Sequence, residues 1–231
     1  MVSTLGAGLL RQPLLFWGTH LRTYIYIDGF NFYYGAVKDT PYKWLDFKLL
    51  FTRLLKPHHQ ILSIKYFTAR VSGKLDPDQP IRQKTFLRAL QKHIPELSVY
   101  YGQFNSHPKA LPLAQPIKTA SGKTLKYAHV IKTEEKGSDV NLAVQLLNDA
   151  WLDRYDCAII VSNDGDLRES LRIVREGLNK NIGLLTPWRY SPLATLRKYC
   201  LFVTPVRKRV LAACQLPDPI PGTSLRKPSV W

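Results

Sequence analysis

The sequence has no apolar run approaching the roughly 20 residues that a membrane-spanning helix needs. It also lacks the glycine signatures that cradle phosphates: neither a G-x-x-x-x-G-K-[S/T] loop nor a G-x-G-x-x-G fingerprint occurs. A conventional nucleotide triphosphatase or NAD enzyme is thereby disfavoured, and no Ser-His-Asp order or nucleophile elbow points to acyl transfer. Cysteine is scarce. Cys157, Cys200 and Cys214 are odd in number and show neither CxxC nor Cys/His ligand spacing, so they read as core thiols of a reducing cytoplasm rather than as a disulfide or zinc framework. Histidines are few, and His58-His59 after Pro57 reads as a solvated loop pair. The stretch Leu9 to Trp17 is broken by Arg11 and Pro13 and lacks the small-residue cleavage site of a secretory signal, so residues 1–22 read as an irregular extension.

Acidic residues are also short, 17 Asp and Glu against 33 Lys and Arg, and the net charge of +16 favours a polyanionic partner. Charge alone leaves nucleic acid and an anionic membrane surface both open. At 231 residues and 45% hydrophobic, the chain can bury one substantial core.

The few acids fall at unusual places. Tyr24-Ile-Tyr-Ile reads as a strand buried on both faces, and it ends abruptly in Asp28. A carboxylate there is either a turn residue opening the next helix, with Gly29 and Asn31, or part of a site at the carboxyl end of a parallel strand. The spacing then predicts helices over Asn31–Val37 and over Asp46–Leu55, the second with Leu49, Leu50, Leu54 and Leu55 inward. A strand is expected over Ile61–Val71, a turn over 72–80, and a helix over 81–93 with Ile81, Leu87, Leu90 and Ile94 on one side. Lys84, Arg88 and Lys92 repeat along its other side, either as a solvated row or as phosphate contacts. A third strand is predicted over Ser98–Phe104.

Gln103 to Lys136 has three prolines and six lysines against two glutamates, and reads as a loop or hairpin extension. It is either a surface ornament or a basic flap over a nucleic-acid channel, with Lys123, Lys126 and Lys132 as contacts. Ser138–Asp153 is the clearest helix, with Val140, Ala143, Val144, Leu147, Ala150 and Trp151 tracing an apolar face. Ser138 is the expected N-cap and Asp139 a first-turn acid held ionised by the helix dipole. Asp149 and Asp153 read as surface residues. Cys157-Ala-Ile-Ile-Val is a second doubly buried strand ending in Ser162-Asn-Asp164-Gly-Asp166, where two carboxylates repel unless a cation neutralises them. Asp166 also suits a cap of the helix 167–176, whereas Asp164 has no such local reason. Strands at Asn181–Thr186 and Leu201–Val206 and a short helix at 191–199 follow. From Pro187 onward there are eight Arg or Lys against one acid, Asp218, and residues 207–231 read as a basic, Pro-rich tail or nucleic-acid arm.

Alternating strands and helices imply a parallel sheet with helices on both faces, whose right-handed crossovers bring Asp28, Asp139, Asp164 and Asp166 to one edge. Oxygen-only donors suit Mg²⁺ or Mn²⁺ rather than Zn²⁺. In a basic protein that combination matches phosphodiester hydrolysis. The residues Ile27-Asp28-Gly-Phe-Asn31, Glu135-Lys136-Gly-Ser-Asp139-Val140 and Val161-Ser162-Asn-Asp164-Gly-Asp166-Leu167 resemble, in order and spacing, the NYN domain family, and its LabA-like branch within the PIN-like nucleases. The resemblance covers about residues 23–206. It implies a three-layer α/β/α PIN-like, Rossmann-like fold and a metal-dependent ribonuclease. Asp28, Asp139, Asp164 and Asp166 would be metal ligands or water activators. Asn31 would orient Asp28 or touch RNA, Ser162 would brace the turn, and Lys136 would support the site. The segment 103–136 is longer than is usual in the family. Two other functions use the same cleft: a catalytically silent RNA-binding module, and a scaffold turned to small-molecule chemistry, redox included, with Tyr24, Tyr26, Phe30, Phe32, Tyr33, Tyr34 and Trp44 as its aromatic lining.

Overall fold

In the computed structural model, which describes residues 20–73 and 76–231, two doubly buried segments form the centre of the sheet. Strand β1 (Leu21–Asp28) pairs in parallel with β5 (Cys157–Val161) on one side and with β2 (His59–Ala69) on the other. Their apolar runs carry no polar alternation because helices cover both faces. The sheet grows outward to β3 (Leu97–Lys118) beyond β2, and to β6 (Asn181–Pro187) and β7 (Phe202–Val206) beyond β5. With β4 (Thr124–Lys136) the seven-stranded order is β4-β3-β2-β1-β5-β6-β7, all parallel except the β3/β4 pair. This is the α/β fold with a central, mainly parallel sheet that the sequence pattern implies.

Helices fill the crossovers: α1 (Gly29–Phe32), which continues as a π turn through Val37, α2 (Phe47–Leu54) and α3 (Gln79–His93). They are followed by α4 (Ser138–Trp151), α5 (Arg168–Arg172), α6 (Ala194–Arg197) and α7 (Lys208–Ala212). Asp46 caps α2 as expected, its side chain accepting from the Leu49 amide at 3.0 Å. The buried positions of that helix are Phe47, Leu50 and Phe51, while Leu49 and Leu54 are only half-buried. One core cluster packs these rings against Ile25, Ile27 and Trp44; the other packs Tyr26, Leu142, Leu146 and Tyr155 on the opposite face.

Four readings need correction. Ile81 is exposed, because α3 begins at Gln79 and buries Phe86, Leu87, Ala89 and Leu90 instead. The inward face of α4 is not Val140, Val144 and Trp151, all exposed, but Leu142, Leu146, Asp149 and Ala150. Asp149, read as a surface residue, is fully buried. It is compensated by Lys65, which donates to it from β2, by Arg154 at 3.0 Å and by the Tyr26 hydroxyl at 2.7 Å. Residues 207–231 are not a free arm: Leu211, Cys214, Leu216 and Ile220 join the core, the Trp44 indole donates to the Pro217 carbonyl, and Trp231 packs edge-on against Phe86. Of the two readings of 103–136, the hairpin extension is the one found: a two-stranded antiparallel ribbon in which β3 leaves β2 after Gly102 and pairs with β4 from Gln103 to Lys118. The expected extension over 1–22 lies outside the described residues up to residue 19, and Leu21 and Arg22 already belong to β1.

Candidate metal centre

Three of the sequence's misplaced acids meet at the carboxyl edge of β1 and β5. One carboxylate oxygen each from Asp28, Asp139 and Asp164 lies within 4.8 Å of the other two. Asp28 ends β1 and opens α1, accepting from the Asn31 amide at 2.9 Å, so the turn reading and the site reading of this residue are compatible. Ser162 ties the two strand ends together: its hydroxyl donates to Asp28 at 2.8 Å and accepts from the Asp164 amide at 3.0 Å. The Asn31 side chain accepts from the Asn163 amide at 3.0 Å, fixing the second strand's exit against the first. Asp164 does have a local role, contrary to expectation. It caps a short 3₁₀ turn (Gly165–Leu167) by accepting from the Asp166 amide at 3.0 Å, which leaves its other oxygen for the cleft.

Asp139 arrives from a different direction. The chain turns from β4 into α4 at Gly137, whose φ of +93° lies in the left-handed region that favours glycine. Gly137, not Ser138, occupies the cap position, and the Ser138 amide is taken by the Glu135 carboxylate at 3.0 Å. Gly102 makes this junction possible, since a Cβ there would lie 2.3 Å from the Glu135 carboxylate oxygen.

The electrostatics are those of crowded acids. Burial, followed by the charges of Asp164 and Glu135, pushes Asp28 above the usual carboxylate range against the pull of Asn31 and Ser162. Burial and the neighbouring Asp28, Asp164, Glu135 and Asp166 push Asp139 up to about 6. The helix dipole was expected to hold Asp139 ionised, but a partial charge screened within one turn is outweighed by partial burial and four carboxylates. Such a cluster is relieved by a cation, and its all-oxygen donor set fits Mg²⁺ or Mn²⁺.

Other residues singled out by sequence fall elsewhere. Asp166 is exposed and stands outside the close trio, although its charge reaches Asp139. Lys136 is exposed beside Glu134, and Lys84, Arg88 and Lys92 are exposed on α3 without lining the acid cleft. The ribbon's register separates its chemistry by face. Phe104/Glu135, Pro108/Ile131 and Pro112/Tyr127 share the side that begins at the cleft, whereas His107/Lys132 and, by alternation, Lys126 lie on the other. Lys123 sits in the turn that joins the strands. The cleft side of the ribbon, which also carries Ser106/Thr133 and Ala110/His129, is therefore a mixed face without lysine over the paired stretch. Sequence reasoning passed over Tyr190 and gave Glu135 no role, whereas Phe30 and Tyr34 stand in the aromatic lining named for the small-molecule reading; all four line the cleft. Glu135 was legible within the Glu-Lys-Gly-Ser-Asp motif, whereas Tyr190 gave no signal.

No helix among the described residues is long and apolar enough to cross a membrane. A solved protein of unknown function from Vibrio parahaemolyticus RIMD 2210633 shares the fold, with a TM-score of 0.51 and 19% identity over 83% of this chain and 96% of that one. A curated relative, 6-hydroxy-3-succinoylpyridine 3-monooxygenase HspA of Pseudomonas putida (strain DSM 28022 / S16), is 36% identical, and the match covers 91% of this chain and 74% of the relative. The NYN domain model matches residues 22–203, a span that contains all three acids and the strands presenting them, and the chain belongs to that family.

Proposed function

We propose that the chain is a divalent-metal-dependent ribonuclease that hydrolyses RNA phosphodiester bonds, with Mg²⁺ or Mn²⁺ held by Asp28, Asp139 and Asp164. The observation that carries this reading is the convergence of three carboxylates in a family of PIN-like nucleases, inside a chain of net charge +16. A bound ion would supply a water of lowered pKa and charge stabilisation at the phosphate. The chain's own residues do the rest. Ser162 and the Asn31 amide hold Asp28 in a fixed orientation, so that its free lone pairs face the cleft. Asp139 faces the same point from the start of α4, so that the three carboxylates would hold the ion from two strand ends and one helix. Asp166, exposed beside the trio, serves the centre through water. Phe30, Tyr34 and Tyr190 offer faces on which unpaired bases stack, which favours single-stranded RNA. The basic residues of α3 and of the ribbon, Lys84, Arg88, Lys92, Lys123, Lys126 and Lys132, with Lys136 at the junction, add attraction for the backbone. Three free cysteines suit a cytoplasmic setting.

Cleavage of an end-labelled single-stranded RNA in Mn²⁺ or Mg²⁺, abolished by EDTA, is the test. Asp28→Asn and Asp164→Asn each remove one of the converging carboxylates, so each lowers the rate roughly 100-fold or more. Variants as fast as the wild type sink the proposal. Salt-sensitive RNA binding with no cleavage in any divalent metal identifies a silent binding module instead.

The name of the Pseudomonas relative favours a second reading, oxygenation of a hydroxypyridine ring. Oxygen uptake dependent on 6-hydroxy-3-succinoylpyridine and a reductant would establish it, and a flat trace with both present would exclude that substrate.

A further inference from the structure

Behind the acid cleft lies a second concavity whose chemistry the phosphodiester reading does not use. A cavity of about 410 Å³ opens between α1, α2, α3 and the segment that ends in Trp231. Its walls are largely aromatic: Phe30, Tyr33, Phe47, Tyr66, Phe86 and Trp231. The volume falls within the range of small-molecule sites, and apolar walls with a few placed polar groups are the usual composition of such sites. Phe30 and Tyr34 belong to both the cavity and the acid cleft, so the two share one wall.

The polar groups of the cavity narrow the ligand. Lys43 and Arg82 are the basic residues of its lining, and Asp76 is its one acid. Asp76 is engaged by Arg82, which leaves Lys43, half-buried, with no carboxylate within ion-pair distance among the described residues. Lys43 thus offers a positive charge without an ion-pair partner beside aromatic walls, where it is worth more to an anion than it would be in bulk water. The Tyr66 side chain is buried, only 8% exposed, and its hydroxyl has no hydrogen-bond partner among the described residues; the Tyr33 hydroxyl is likewise unpartnered. Neither hydroxyl is sealed from solvent, so an acceptor on a ligand in the cavity can take the place of water at either donor.

We infer that this cavity binds a small planar heteroaromatic acid. Its ring packs among the aromatic side chains, a ring nitrogen or ring oxygen accepts from Tyr66 or Tyr33, and its single anionic group meets Lys43. Flat rings stack on flat walls, the phenols without protein partners can donate to an acceptor on the ring, and Lys43 offers an anionic group a partner. The inference stands independently of the ribonuclease proposal.

Nicotinate is the probe, titrated calorimetrically into the full-length protein in EDTA so that no metal in the acid cleft can capture its carboxylate. Saturable one-to-one binding is expected. Benzoate, which lacks the ring nitrogen, and nicotinamide, which lacks the charge, should each bind about tenfold more weakly. Lys43→Met removes the advantage of nicotinate over nicotinamide, and Tyr66→Phe reduces its advantage over benzoate, while both proteins keep a cooperative thermal transition. Asp164→Asn leaves nicotinate affinity unchanged, which separates the cavity from the acid cleft and the fate of this site from the fate of RNA cleavage. Absence of saturable binding, or binding that survives Lys43→Met undiminished, overturns the inference.

Discussion

Asp139 opposes folding and favours metal binding through the same property. Its pKa is pushed up to about 6 by burial and by the surrounding acids, so the folded, metal-free chain holds this proton more tightly than the unfolded chain does. The stabilisation that follows is fully present below the ordinary carboxylate range and is lost as pH rises through about 6; Asp28, raised in the same direction, adds to it. At neutral pH the uncompensated cluster therefore costs stability. Asp139→Asn should raise the thermal midpoint of metal-free protein at about pH 7.5 and have little effect at about pH 4, where the wild-type carboxyl is already protonated. Scanning calorimetry at the two pH values reads this directly. Added Mn²⁺ should raise the midpoint of the wild type and much less that of the variant. An Asn variant less stable than the wild type at the higher pH would show that Asp139 is structural rather than strained.

Among the elements, α4 is where sequence and structure part most clearly, and the reason is physical. The helix carries two apolar stripes, and the one with the cleaner spacing, Val140, Val144 and Trp151, is exposed. The buried stripe contains Asp149, a residue no hydropathy pattern would place inside. It is there because Lys65 arrives from the centre of β2, with its ammonium 5.5 to 5.9 Å from the rings of Tyr24, Tyr26 and Tyr100. That pairing spans 84 residues of sequence and has no local signature. By contrast, β1 and β5 were legible because a strand buried on both faces has an apolar run that stops at a charge, and the placing of Asp28 and Asp164 follows from strand ends alone. Asp166 was grouped with them because adjacency in a turn does not reveal which carboxylate turns toward the cleft. The buried pair gives a testable consequence. Asp149→Leu strands the Lys65 ammonium in the core and should cost about 3–5 kcal/mol, Lys65→Met, which leaves Asp149 with Arg154, should cost less, and the double variant should lose less than Asp149→Leu alone. Urea denaturation of the four proteins closes the cycle, and single variants costing under about 1 kcal/mol would show that the charges are solvated.

At the scale of the whole molecule, composition misled about the last 25 residues. Proline and basic residues suggested an arm, yet Leu211, Leu216 and Ile220 are buried, each worth roughly 1.5–3 kcal/mol relative to exposure. Truncation after Val206 should therefore leave an insoluble or non-cooperatively unfolding protein, although the matched family model ends at residue 203. A soluble truncate with an unchanged thermal midpoint would contradict the packing. The basic charge then has to act from the folded surface rather than from a tail. Lys84, Arg88 and Lys92 on α3 and Lys126 and Lys132 on the ribbon are held on separate elements, so a strand that engages both must be long, and its affinity must come from several phosphates at once. For single-stranded RNA each neutralised phosphate contributes a slope of about −0.7 in log affinity against log salt. Binding of a long single strand, measured by fluorescence anisotropy with Asp28→Asn protein to prevent cleavage, should weaken steeply between about 50 and 200 mM salt. Lys126→Gln with Lys132→Gln should flatten the slope by roughly one to one and a half. Affinity insensitive to salt, or a slope untouched by these two substitutions, would mean that the surplus charge serves something other than an RNA backbone.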